Sequence, residues 1–425
     1  MKILRIGIAA LAITALVLLV GGTPQAFHTG GVAECSGCHS MHTPNARGSY
    51  LLIGSDASST CLSCHMHLGD TGPSSYHIAT ATADMPVGTA PLQRTPGGDF
   101  GWLKKDYSYV PRTGAATEYQ YGYTFGHNIV AADAGFVVDP VNASAPGGTG
   151  TAFSSANLGC ESCHDPHGRA RRLSDGSYVN AFYTQGSQNA PIYSAGSYGA
   201  VPTAGLAVGV YRLLRGLGDT SQGVTFSGVP IAVAPSTYNR TEAVTQTRVA
   251  YGSAGTNTWG NWCASCHQSM HSTMSSGSNY VHPVDVAMSS GVRDNYNNYV
   301  MTGDLRGSAT SSFTSLVPFV EGTGAIATLA GHAKNNDTAL GGPGNGDQVS
   351  CVTCHRSHAS GFKYMLRWNM ENEFMVFESL YAPASKLSVG QGRTETEMAG
   401  AYYDRPVGKF ASYQRVLCNK CHAKD

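Results

Sequence analysis

The stretch Cys35-Ser36-Gly37-Cys38-His39-Ser40-Met41-His42 sets two thiols three residues apart, an imidazole directly after the second, and another imidazole three residues further on. Two thiols at that spacing reach the two vinyl groups of one haem as thioethers, while the histidine that follows turns its ring onto the iron. Tether and ligand come from one turn of chain. The same Cys-x-x-Cys-His unit recurs with Cys61, Cys64 and His65; Cys160, Cys163 and His164; Cys263, Cys266 and His267; Cys351, Cys354 and His355; and Cys418, Cys421 and His422. These units use all 12 cysteines. Zinc ribbons and disulfide frameworks do not require a histidine after every second cysteine, so the pattern points to six covalently attached c-type haems.

Six irons need six further ligands. Of the 16 histidines, those outside the motifs are His28, His42, His67, His77, His127, His167, His271, His282, His332 and His358. An internal repeat selects among them. A histidine precedes a Cys-x-x-Cys-His-x-x-His unit, and a plain Cys-x-x-Cys-His follows; this happens three times, led by His28, His127 and His332, with His42, His167 and His358 closing the units. These six are the expected distal ligands, with His77 and His282 as weaker candidates, followed by His271 and then His67. A histidine three residues past a motif histidine leaves a helical turn on the same side, whereas a distal ligand approaches the opposite haem face. It must serve a different haem. Histidine on both faces leaves no open coordination position, which disfavours small-ligand chemistry.

The chain has 425 residues with 27 basic and 27 acidic side chains. Lys2 and Arg5, a short apolar run and Gly21 to Ala26 read as a secretory signal over 1–26, too short for a spanning helix. Its loss leaves 25 against 27, and six oxidised haems add about −6 through their propionates. Nucleic-acid binding is not indicated. The 52 glycines and 13% charged residues are unusual for ordinary domains of this length.

Between the motifs lie long Gly-, Ser-, Ala-, Thr- and Pro-rich segments that read as loops and turns. The expected fold is therefore a multihaem cytochrome c: mostly loops and turns with short α-helices wrapped around a chain of haems and little β-structure. After the signal, 27–425 forms one unit built from three haem-pair repeats, approximately 27–126, 127–330 and 331–425. Short helices are expected at each motif and over 241–250 and 364–378. Trp102, Trp259, Trp262 and Trp368 are expected to pack on porphyrin. Arg169, Arg171 and Arg172 either pair with a propionate or form a solvated basic face. Asn142 and Asn239 match glycosylation acceptors by chance.

Several segments carry more than haem chemistry: FHTGGVAECSGCHSMH at 27–42, GTAPLQRTPGGDFGWLKK at 88–105, APSTYNRTEAVTQTRVAYG at 234–252, GHAKNNDTAL at 331–340 and YQRVLCNKCHAKD at 413–425. With these the sequence resembles the OmcS-like outer-surface hexahaem cytochromes of dissimilatory metal-reducing bacteria. The resemblance implies bis-histidine haems and polymerisation outside the cell into a filament, or nanowire, of identical subunits. It also implies that the residue matching His42 ligates a haem of the neighbouring subunit, the one at Cys351, Cys354 and His355. The expected function is extracellular electron transfer, not catalysis. Cell-envelope cytochromes would be the donors, and metal oxides, electrodes or partner cells the acceptors. A monomeric secreted shuttle and a multihaem oxyanion reductase are the alternatives; the latter would need an open iron or an unusual proximal ligand, and neither feature is in the sequence.

Overall fold

The computed structural model describes residues 35–40, 49–74, 76–148, 152–173, 175–180, 192–194, 207–208, 210–221, 223–235, 246–271, 282–299, 307–338, 340–413 and 415–422. The signal segment, His28, His42 and Asn239 lie outside the described residues.

Each motif nucleates its own turn. Asp56 caps the helix Ala57–His65 by accepting from the Ser59 amide at 2.7 Å, and Thr258 caps Trp259–Ala264 by accepting from Asn261 at 3.1 Å. Cys351–Cys354 and Arg415–Cys418 are single helical turns, Cys160–Ser162 is 3₁₀, and the first motif is a turn. In five of the motifs the histidine amide donates to the carbonyl of the first cysteine, from His39 to Cys35 at 2.8 Å to His422 to Cys418 at 3.1 Å. This closed turn carries both sulfurs and the imidazole on one short arc.

Strands are two to four residues long. The largest sheet runs in the order Ile231–Val233, Ala250–Gly252, Val320–Glu321, Gln348–Val349, Val286–Ala287, with one parallel pairing, between the second and third. A second sheet joins Tyr178–Asn180, Ala170–Leu173, Ala207–Val208 and Ile192–Ser194.

Two expected helices are corrected. The described part of 241–250 is extended: Arg248 bridges Lys334, and Ala250 opens a strand against Val233 and beside Val320. Sheet pairing wins there over local helical spacing. Over 364–378 there is one 3₁₀ turn, Lys363–Met365, and then loop. Tyr364 and Met365 have φ of 58° and 59°, which a right-handed helix excludes.

The buried apolar side chains form three clusters. The smallest joins Leu62, Phe100, Ile129 and Phe136; a second surrounds the larger sheet with Ile231, Tyr251, Trp259 and Leu329; the third joins Trp102, Phe125, Tyr296, Trp368 and Tyr402. Packing crosses the boundaries of the sequence repeats, since Trp102, Tyr296 and Tyr402 come from different ones.

Candidate functional site

The six motifs lie in a row, in chain order. The Cys38 thiol is pushed up by burial and then by Cys64. The Cys61 thiol is held up first by the Cys160 thiol beside it and then by burial. Burial pushes Cys163 up to about 12, with Cys266 its nearest charged influence. Cys263 is raised first by Cys351, and burial pushes Cys354 up to about 12, helped by Cys421 and Cys418. The contacts alternate. Second cysteines approach each other within a repeat, at 38 and 64, 163 and 266, and 354 and 421; first cysteines approach between repeats, at 61 and 160 and at 263 and 351. None of the twelve is in a disulfide. Burial disfavours a thiolate at Cys38, Cys163, Cys266, Cys354 and Cys421, surroundings that suit an uncharged thioether.

Five of the motif histidines are locked the same way. The Nδ1–H donates to a backbone carbonyl: His39 to Tyr50 at 2.9 Å, His65 to Tyr76 at 2.7 Å, His164 to Tyr211 at 2.7 Å, His267 to Pro146 at 2.8 Å and His355 to Tyr364 at 2.7 Å. A carbonyl cannot donate, so Nδ1 carries the proton and Nε2 presents its lone pair. The sequence reading missed the partners. In all three repeats the carbonyl closing the first motif belongs to a Tyr-x-Leu element: Tyr50-Leu51-Leu52, Tyr211-Arg212-Leu213 and Tyr364-Met365-Leu366. Its first two residues have positive φ, from 51° at Arg212 to 61° at Leu51, and its leucine bridges the motif histidine. The tyrosine stands 11, 47 or 9 residues past the histidine. That variable gap hides the element from a search at fixed spacing.

Three pairs of imidazoles face each other: His164 with His358 at 6.3 Å between ring centroids, His267 with His127 at 6.1 Å, and His422 with His282 at 6.2 Å. About 6 Å is the separation two rings need to bind one iron from opposite sides through metal–nitrogen bonds of about 2 Å. His127 donates from Nδ1 to Ser357 O at 2.8 Å, the same tautomer as in the five carbonyl-bonded motif histidines. Burial pulls His127 down to about 4 and His358 to about 3, so both are neutral at pH 7, as a metal ligand must be. One short segment positions both rings. His358 N–H donates to Gly97 O at 2.7 Å, and His127 N–H donates to His358 O at 2.9 Å.

The remaining candidates divide. His77 and His332 donate from Nδ1 to Asp70 at 2.7 Å and Glu321 at 2.6 Å, which leaves Nε2 free. His167 is two-thirds exposed, with Nδ1 at 3.8 Å from Asp165. His67 stacks on His77 at 5.9 Å, and neither follows a cysteine pair. His271 engages Asp285 through Nε2 at 3.1 Å, the nitrogen an iron would need. Thus His282, a weaker candidate from sequence, faces a motif ring, whereas His332 sits beside Glu321.

Arg171 and Arg172 are buried in the strand Ala170–Leu173 rather than on a solvated face, and Arg169 reaches Asp219 at 3.5 Å. Arg172 donates from Nη1 to Gly324 O at 2.6 Å, while its buried Nε has no partner in the chain. An unmatched guanidinium nitrogen at the edge of a haem motif is the donor a propionate would satisfy. No cluster of three or more acidic, histidine or cysteine side chains arranged for a bare metal ion occurs among the described residues.

No family model matches the chain. It is 47% identical over 443 aligned positions to the C-type cytochrome OmcS of Geobacter sulfurreducens, an alignment covering 98% of each protein. The chain belongs to the OmcS family of c-type cytochromes. Two solved structures are similar across 94% of this chain and all of their own, each with a TM-score of 0.81: the Outer Membrane Cytochrome S filament, at 47% identity, and the OmcS nanowires seen by cryo-EM, at 48%, both from G. sulfurreducens. As an OmcS-family cytochrome the chain is an electron-transfer protein holding covalently bound haem, and the loop-rich architecture is that of the family. The sulfur pairs, the Nδ1-locked rings and the 6 Å gaps fit that group. No helix among the described residues is long and apolar enough to cross a membrane.

Proposed function

We propose that the protein carries six bis-histidine c-type haems, one per motif, and is the subunit of an extracellular cytochrome filament that conducts electrons. The observation that carries this reading is the row of six motifs in chain order, whose paired cysteines would bring neighbouring porphyrins close together. The haem irons supply the one-electron chemistry. The chain orients the imidazoles through their Nδ1 bonds and holds His127 and His358 neutral, so that little has to reorganise when charge moves.

Ligation follows the repeat. His358 closes the third unit and faces the motif ring of the second, His164. By the same relation His167 would serve the iron held by His39. His42 would then serve the iron of His355 in the neighbouring subunit, as the resemblance to the OmcS filament cytochromes implies. An inter-subunit ligand bond stabilises assembly, since its free energy is available only to the joined state. The filaments formed by the similar OmcS structures support this reading. So does the cysteine alternation, in which first cysteines meet between repeats; at the subunit junction it would bring Cys418 to Cys35 of the next copy.

The three haem-pair repeats are thus steps of one continuous path, and the mature protein acts at the outer cell surface. It accepts electrons from cell-envelope cytochromes and delivers them to metal oxides, electrodes or partner cells. Helical cryo-electron microscopy of material sheared from native cells tests the proposal. A filament with His42 on the neighbouring subunit's haem is the expected result. Discrete particles with six low-spin haems would reduce the function to that of a secreted shuttle.

A further inference from the structure

Only the sixth motif carries a cation between its cysteines. The intervening pairs are Ser36-Gly37, Leu62-Ser63, Glu161-Ser162, Ala264-Ser265, Val352-Thr353 and Asn419-Lys420. Lysine is among the residues least often fully buried, yet Lys420 has no exposed surface. Its Nζ donates to Tyr296 O at 2.8 Å, to Ser312 O at 2.7 Å and to Tyr299 O, and it lies 4.2 Å from the centre of the Tyr296 ring. Three carbonyl acceptors require three N–H donors, and only the ammonium has three. The aromatic face adds attraction for the charged form alone.

Those three bonds use every proton of the ammonium, so Lys420 has none left for a propionate. It acts on the haem through space. Lys420 is the residue directly before Cys421, whose sulfur is the atom that would join the porphyrin edge. A fixed positive charge in a low-dielectric interior disfavours the ferric state, which carries one more positive charge than the ferrous state.

We propose that Lys420 is a positioning charge that raises the potential of the haem held by Cys418, Cys421 and His422, so that this end of the subunit's chain is where an electron rests. The inference depends on the six-haem reading above.

The experiment is a reductive spectroelectrochemical titration at pH 6 of the full protein and of Lys420→Met, which keeps an unbranched side chain one atom shorter and removes its charge. One electron's worth of the titration should move to lower potential, with the other five superimposing on the parent curve and the low-spin bis-histidine spectrum unchanged. A titration in which nothing moves, or in which the change is upward, overturns the proposal. Lys420→Gln is the second variant, for the case in which the three carbonyls left by Lys420→Met prevent folding. Its amide brings two N–H donors for those carbonyls and no charge. It should lower the same single step, and an unmoved curve would overturn the proposal. A pyridine haemochrome assay giving fewer than six haems would instead strike the underlying reading.

Discussion

His358 is held by two glycines. A Cβ at Gly97 would stand 2.9 Å from the His358 Nδ1, and one at Gly98, where φ is +94°, would stand 1.7 Å from Ala359 O. Only glycine allows the loop to run this close under the imidazole. Gly98→Ala should therefore cost at least about 2 kcal/mol of stability, measurable as a lowered thermal midpoint. His358→Ala should leave the iron of His164 open on one side. A carbon monoxide difference spectrum would then show one binding haem, whereas the parent shows none. His271→Ala should leave the low-spin spectrum intact, because the nitrogen needed for ligation is already given to Asp285; loss of a low-spin haem would reverse that assignment. The sequence ranked His282 behind His332 because His332 leads a repeat and His282 does not. The difference lies in which ring the fold carries up to His422.

At the scale of elements, the motif turns were legible because both sulfurs and the ring must share one arc, and local caps such as Asp56 and Thr258 start it. The Tyr-x-Leu elements were not, since their work is done by backbone atoms at positive φ. Met365 illustrates this, with φ of 59° and its carbonyl accepting from Arg356 N–H at 2.8 Å. Met365→Gly should be tolerated. Met365→Pro, with φ confined near −65°, should cost about 3 kcal/mol or more and loosen the His355 ring, visible as a changed electron paramagnetic resonance signal of one haem. The helices expected over 241–250 and 364–378 failed for related reasons. An apolar spacing of 3.6 also serves loop residues whose side chains enter different clusters, and pairing with a distant strand or histidine decided the backbone.

For the whole molecule, the three modest apolar clusters and strands of two to four residues among the described residues offer little to stabilise a chain of 425 residues, so the porphyrins would supply the missing core. The chain produced without covalent haem attachment should show a disordered far-ultraviolet circular dichroism spectrum; a native-like spectrum would contradict that dependence. His42→Ala should leave a six-haem monomer by size-exclusion chromatography, with one haem open to carbon monoxide. What the sequence by itself determined is the family, the loop-rich class and covalently bound haem, all of which depend on residues a few positions apart or on long identical segments. Only the tertiary structure decided which imidazole rings face each other, that the motifs run in chain order with alternating sulfur contacts, and that Lys420 is sealed inside. Those are meetings of residues tens to hundreds of positions apart, brought about by packing that no local periodicity encodes.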